Sequence, residues 1–275
     1  MRNNEGLLRM IKMLVVDIDG TILTDKRGIS KDLKNHVKEL IANDIKVVIA
    51  TGRMHQSAAR VAQDLGTNSP VISYQGGLIR DEKDNILLCH YFEESLAREI
   101  ICTLREQSFH INIYIDDNLI AECDSKYIQD YANGKFIDYK IVENLDNLTF
   151  TYLNKVLAID YDTQRIDNLV STLSKKYEDK LYIVKSTPHF CEFSNPEATK
   201  GNAIKFLANK WGIKQEEIMA IGDQDNDIEM LKAAGVKVAM GNATENLKEI
   251  ATYITKTVDE DGVVHAINKF IGIKV

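Results

Sequence analysis

Short runs of consecutive apolar residues alternate along the chain with segments whose apolar residues recur every three or four positions. The first segment, 11–17, centres on the apolar run Met13 to Val16, β-branched at its end before Asp17, which predicts a strand buried on both faces of a parallel sheet. Segment 30–43 follows, with Leu33, Val37, Leu40 and Ile41 on one helical face and Ser30 placed to cap its start. A second apolar run at 45–50, a helical segment at 54–65 closed by Gly66, and a third run at 71–73 extend the series. This β-α-β-α-β order predicts an α/β fold with a doubly wound, Rossmann-like parallel sheet.

The period changes after residue 78. Residues 78–92 read as a hairpin turning at 81–85, and 93–107 as a helix. Half-polar strands at 111–116, 119–123, 155–161, 181–185 and 190–194 accompany a helix at 163–177. That alternation fits an α+β module whose antiparallel sheet is open on one face. The earlier pattern then returns: helix 200–211, strand 217–221, helix 226–234, strand 236–239, helix 243–251, strand 252–254 and helix 262–271. The reading is a core in two pieces, 1–82 and 195–275, with an α+β cap inserted over 83–194. The chain crosses near 80–84 and 193–198, and residues 1–9 read as a loosely held extension.

Composition narrows the class of partner. The 275 residues are 44% apolar and 27% charged, as in a soluble globular protein. A net charge of −7 provides no basic field for nucleic acid and leaves room for a small, chelated anion. Cysteines 89, 102, 123 and 191 show no metal-type spacing and read as reduced core thiols of a cytoplasmic protein. No apolar stretch is long enough to span a bilayer, and the N-terminus lacks the apolar region of a secretion signal. No feature speaks to oligomeric state.

The candidate chemistry lies where apolar runs end. Asp17 and Asp19 leave the first strand one residue apart, and two such charges repel unless a cation or proton intervenes. A hard divalent ion such as Mg²⁺ suits them, although Asp, Gly and Thr also favour plain turns. Thr51 and Asp223 end two further buried strands, and ligands of open α/β sheets bind at that edge. These groups could support phosphoryl transfer through a covalent intermediate. An ionised Asp17 would attack without a separate base, and Asp19 would carry the proton. The Thr51 hydroxyl and amides around Gly52 would hold phosphoryl oxygens. Lys200, opening a helix, would add a positive charge, and Asp223 would complete a metal's oxygen shell with Asn226 or Asp227 nearby.

Asp17-Ile18-Asp19-Gly20-Thr21, Thr51-Gly52-Arg53, Lys200-Gly201 and Gly222-Asp223 with Asn226-Asp227 match, in order, the four motifs of haloacid-dehalogenase-like phosphatases. Ile228 to Leu231, Val238 to Ala243 and Asp261-Gly262-Val263 resemble the Cof-type subgroup, subclass IIB. The resemblance implies Asp17 as nucleophile and Mg²⁺ ligand, and Asp19 as acid/base and ligand through its carbonyl. It implies Thr51, Gly52, Lys200 and Asn226 on phosphate, Asp223 on the metal, and Asp227 ligating or orienting beside it. The subgroup's cap falls between the second and third motifs, where the pattern changes here. In one departure, Gln75-Gly76 stands where the family has Asn-Gly. The longer amide still donates and accepts, but alters contacts to the leaving group.

The implied activity is a Mg²⁺-dependent phosphatase of small phosphorylated metabolites, sugar phosphates foremost, with specificity assigned to cap residues. A phosphomutase would use nearly the same site, and a non-catalytic phosphometabolite sensor is the alternative of another class. Arg53 either reaches the substrate or pairs with a carboxylate in the crevice. His36, His55, His90, His110 and His265 have no ligand-spaced partner and read as surface or helix residues. Asp116-Asp117-Asn118 reads as a hairpin turn, 259–262 as a turn leading into the last helix, and Trp211 as a core anchor.

Overall fold

A computed structural model describes residues 11–23, 28–135 and 137–272; the extension expected at 1–9 lies outside them. The core begins with β1 (Met13–Val16), α1 (Lys31–Ala42), β2 (Lys46–Ile49), α2 (His55–Leu65) and β3 (Val71–Ser73). All four side chains of β1 are buried, as its unbroken apolar run requires. Ser30 accepts from the Leu33 amide at the start of α1, and Gly66, left-handed at φ 83°, ends α2. β4 (Leu78–Arg80) and β5 (Ile86–Cys89) form the expected hairpin against β3. Leu87 and Leu88 pack on the core, and the cap's own apolar cluster begins at Phe92.

The cap contains α3 (Glu94–Glu106), β6 (His110–Ile115), β7 (Asn118–Ala121), α4 (Lys126–Lys135) and β8 (Tyr139–Ile141). It continues with β9 (Leu153–Ile159), α5 (Thr163–Lys176), β10 (Tyr182–Thr187) and β11 (Phe190–Ser194). The strands align as β10-β11-β9-β6-β7-β8, antiparallel except for the last pair, which is parallel. α4 and β8 have no counterpart in the sequence reading. α4 buries only Ile128, Tyr131 and Ala132, too sparse a pattern to announce a helix.

The cap sheet is not open on one face, contrary to expectation. Alternate side chains of β6 and β9 enter two different clusters, Ile113 and Val156 on one side, Tyr114 and Leu157 on the other. The second cluster contains Met54, Tyr74 and Leu78 of the core, so that face docks on the core. Every residue of β9 is consequently buried.

The chain returns through α6 (Lys200–Trp211), β12 (Ile218–Gly222), α7 (Ile228–Lys232), β13 (Val236–Ala239), α8 (Glu245–Ile250), β14 (Tyr253–Ile254) and α9 (Gly262–Phe270). The core sheet is wholly parallel, β14-β13-β12-β1-β2, and β3 joins it through one bridge between Ala50 and Ile72. β1 is flanked by β2 on one side and β12 on the other, so the winding reverses at β1. A crevice opens at the carboxyl ends of strands around such a point. The helix expected at 226–234 is instead a tight 3-10 turn at 225–227 followed by the short α7. Only Cys191 is a core thiol; Cys102 and Cys123 are exposed. His36 and His55 lie in helices but are buried. Trp211 packs against the core cluster, and a 3-10 turn leads into α9. Among the described residues, no helix is long and apolar enough to cross a membrane.

Candidate active site

The ends of β1 and β12 bring three carboxylates together: an oxygen of each of Asp17, Asp223 and Asp227 lies within 4.8 Å of the others. Lys200, fully buried at the start of α6, places its Nζ 2.7 Å from Asp17 Oδ1 and 2.5 Å from Asp227 Oδ1. Burial pushes Asp17 up to about 7, helped by Asp227 and Asp19 and opposed by Lys200. Burial, with Asp17 and Asp227, pushes Asp223 up to about 8. The two carboxylates hold the Lys200 ammonium well above its ordinary value despite its burial. Among the described residues, the three carboxylates once ionised would leave two negative charges against the one ammonium in this buried oxygen cluster. That charge and an all-oxygen donor set fit a hard divalent ion such as Mg²⁺.

The loops owe their shape to local bonds. Asp227 Oδ2 accepts from the Asp223 and Gln224 amides, which curls 223–227 into its turn. Asp223 accepts from Thr21 Oγ1 at 2.9 Å, linking the first and fourth motifs. Gly20 sits between them at φ 82°, where a Cβ would collide with the Asp223 carboxylate. Gly76, at φ 109°, lets its backbone lie directly on the Thr199 carbonyl, just ahead of Lys200.

Asp19 is not one of the three clustered carboxylates and is paired with cations instead. Arg53 grips it with two bonds, Nε to Oδ2 at 2.9 Å and Nη2 to Oδ1 at 2.6 Å, and Lys135 Nζ adds a third at 2.8 Å. Against the opposing effect of burial, Arg53 and Lys135 hold Asp19 well below the usual carboxylate range. Of the two roles open to Arg53, pairing with a crevice carboxylate is the one seen. Thr51 is buried, and its Oγ1 accepts from the Arg53 amide. Tyr74 and Gln75 both lie in the left-handed region, at φ 51° and 59°, a strained conformation for non-glycine residues. The Gln75 and Tyr74 amides donate to the Thr51 and Arg53 carbonyls, which fastens this turn to the second motif. Asn226 Nδ2 donates to Gln75 Oε1, and Asn226 Oδ1 is buried without a partner among the described residues.

The cap contributes residues that the motifs do not name. Lys155 of β9, 1% exposed, donates to the Gly52 carbonyl at 2.8 Å and to Glu192 Oε2 at 3.0 Å. Glu192 of β11 also accepts from Gln75 Nε2. Asp117 is more than a hairpin turn: its carboxylate accepts from the His55 and Gln56 amides at the start of α2 and from the Tyr74 hydroxyl. Lys155 and Glu192 left a trace in the sequence, as lone charges inside otherwise apolar or half-apolar strands. Lys135 left none. Together core and cap enclose a cavity of about 50 Å³ bounded by Asp17, Asp19, Thr51, Lys135 and Glu192.

A family model described as haloacid dehalogenase-like hydrolase matches residues 14–267. M6_Spy0533, a candidate phosphatase of Streptococcus pyogenes, is 34% identical over 95% of this chain and 98% of its own. The phosphatase YwpJ of Bacillus subtilis is 29% identical, covering 93% and 98%. The solved structure of TM0651 from Thermotoga maritima has a TM-score of 0.80 at 32% identity, covering 97% of this chain and 98% of that one. The match runs through both halves of the core and the inserted cap, and the chain belongs to the haloacid dehalogenase-like hydrolase family.

Proposed function

We propose that the protein is a Mg²⁺-dependent phosphatase that hydrolyses small phosphorylated metabolites, sugar phosphates foremost, through an aspartyl-phosphate on Asp17. The observation that carries this reading is the convergence of Asp17, Lys200, Asp227 and Asp223 at the carboxyl ends of two adjacent strands. Asp17, Asp223 and Asp227 would hold Mg²⁺, with the Asp19 carbonyl beside them. Bound there, the ion offsets phosphoryl charge and polarises the transferring oxygens.

The residues divide the remaining work. Asp17 attacks phosphorus as the bond to the leaving oxygen breaks, and Asp19 gives that oxygen its proton. Asp19 then takes a proton from the water that attacks phosphorus, which releases phosphate and restores Asp17. Held by Arg53 and Lys135, Asp19 is anionic; an arriving phosphoryl group competes for both cations and frees Asp19 to accept its proton. The Arg53 amide occupies a lone pair of Thr51 Oγ1, so the hydroxyl hydrogen is left to point at a phosphoryl oxygen. The Gly52 backbone, Asn226 and Lys200 complete the phosphate cradle, and Gln75, buried behind it, holds Asn226 and Glu192 in place. The core of residues 1–82 and 195–275 supplies this chemistry and the inserted cap closes it from water. The four unpaired thiols accord with a cytoplasmic setting.

Asp17→Asn is expected to remove Mg²⁺-dependent phosphate release from a panel of sugar phosphates by at least about a thousandfold, with circular dichroism unchanged. Chelation of Mg²⁺ should silence the unsubstituted enzyme. Release of phosphate by the Asn variant at near the original rate would eliminate Asp17 as nucleophile.

A further inference from the structure

Gln75, where the chain departs from the family pattern, is 1% exposed, and both ends of its side-chain amide are engaged. Nε2 donates to Glu192 Oε2 of β11 at 3.2 Å, and Oε1 accepts from Asn226 Nδ2 at 3.1 Å. The side chain thus bridges the cap and the turn that carries Asp223 and Asp227. Its cap end is fixed in turn, because Lys155 Nζ donates to the same Glu192 oxygen at 3.0 Å. The backbone beneath is fastened on both sides: the Gln75 N–H donates to the Thr51 carbonyl, and Gly76 lies on the Thr199 carbonyl. Gly52 packs against the bridge, and a Cβ there would meet Gln75 Nε2 at 2.3 Å and Glu192 Oε1 at 3.3 Å.

This chain of bonds has a direction. A carboxylate only accepts, so Glu192 takes the NH₂ end of Gln75 and turns its carbonyl oxygen toward Asn226. That oxygen only accepts as well, so Asn226 meets it with Nδ2. Reversing either amide would set acceptor against acceptor and leave buried polar groups unpaired. An asparagine at 75 is shorter by one carbon–carbon bond, about 1.5 Å. From the same fastened backbone it would not span Glu192 and Asn226 together.

We propose that Gln75 is a positioning residue that relays the acceptor character of Glu192 to Asn226. It thereby selects the orientation in which Asn226 offers an N–H, and not its carbonyl oxygen, to a phosphoryl oxygen in the crevice that Asn226 lines. The relay is complete only while Glu192 is docked on the core, which ties the phosphate cradle to the position of the cap. The inference rests on the phosphatase reading for the role of Asn226 on phosphate.

A double-mutant cycle separates this relay from a packing role. With Mg²⁺ and p-nitrophenyl phosphate, Asn226→Ala should lower kcat/KM about a hundredfold, and Gln75→Met about tenfold. Because Gln75 acts through Asn226, Gln75→Met should cost less than about twofold in the Asn226→Ala background. A cost of about tenfold there too would overturn the relay. Glu192→Gln can donate or accept, so it should loosen the choice of orientation and lower kcat/KM at least about threefold; full activity would also overturn the relay. Gln75→Asn suits the left-handed backbone at 75 and serves the same cycle if Gln75→Met does not fold. Calorimetric titration of inorganic phosphate into the Mg²⁺-loaded protein distinguishes the two readings. Phosphate binding weakened non-additively by the same substitutions upholds the relay even where no ester is hydrolysed, an outcome that removes the phosphatase reading alone. Additive losses with hydrolysis intact remove the relay alone, and absence of both hydrolysis and phosphate binding removes both.

Discussion

Lys200 has its ammonium between Asp17 and Asp227, and among the described residues Asp223 has no cation of its own. The imbalance has a consequence for stability. Carboxyls of an unfolded chain titrate near about 4, whereas Asp17 rises to about 7 and Asp223 to about 8 in the fold. Between those limits the native protein binds more protons than the unfolded one, so stability falls as pH rises through that window. A divalent ion held by these carboxylates, as proposed, would take the place of those protons, and its binding would strengthen as they leave. The rise in Tm caused by millimolar Mg²⁺ should therefore be larger at pH 8 than at pH 5.5, and the metal-free protein should lose stability over the same interval. A Mg²⁺ shift equal at both pH values would mean that these carboxylates do not share protons with the metal site.

The elements of the core were legible because a strand buried on both faces must be an apolar run, and a surface helix must repeat every three or four residues. β1, β2 and β12 all follow this rule, and each delivers its polar residues just past its carboxyl end. The cap was less legible. α4 offers only three buried side chains, and β9, legible as a half-polar strand, serves two clusters at once, which its pattern did not announce. The pairing of Lys155 with Glu192 was hidden for a related reason, although each stood out as a lone charge: a buried ion pair inside strands has no spacing rule, and its purpose lies on another element. Lys155→Met should cost about 3–5 kcal/mol by leaving Glu192 buried and unpaired. Lys155→Met with Glu192→Leu should recover most of that stability in denaturant unfolding. The Gly52 carbonyl and Gln75 amide still lose their cap partners, so kcat/KM for phosphate release should remain about tenfold down. A double variant with full activity would reduce the pair to a packing role.

At the scale of the whole molecule, the space of about 50 Å³ at the phosphoryl site is far smaller than the about 300–1,000 Å³ that ligand sites usually span. Cap movement is the expected route of substrate entry, and the polar contacts across the crevice name what would part. These are Lys135 from Asp19, Lys155 from Gly52, Glu192 from Gln75, and Asp117 from the His55 and Gln56 amides. The last contact is the most useful reporter, because two backbone amides of a core helix are shielded by a carboxylate belonging to the cap. Opening exposes them without unfolding α2, whereas β1 amides exchange only when the core itself opens. Amides 55 and 56 should therefore exchange faster than those of β1 and slow markedly when Mg²⁺ and orthovanadate occupy the phosphoryl site. Asp117→Ala should speed their exchange while leaving β1 unchanged. Exchange at 55 and 56 as slow as in β1, or unaltered by orthovanadate, would show that cap and core do not separate during the catalytic cycle.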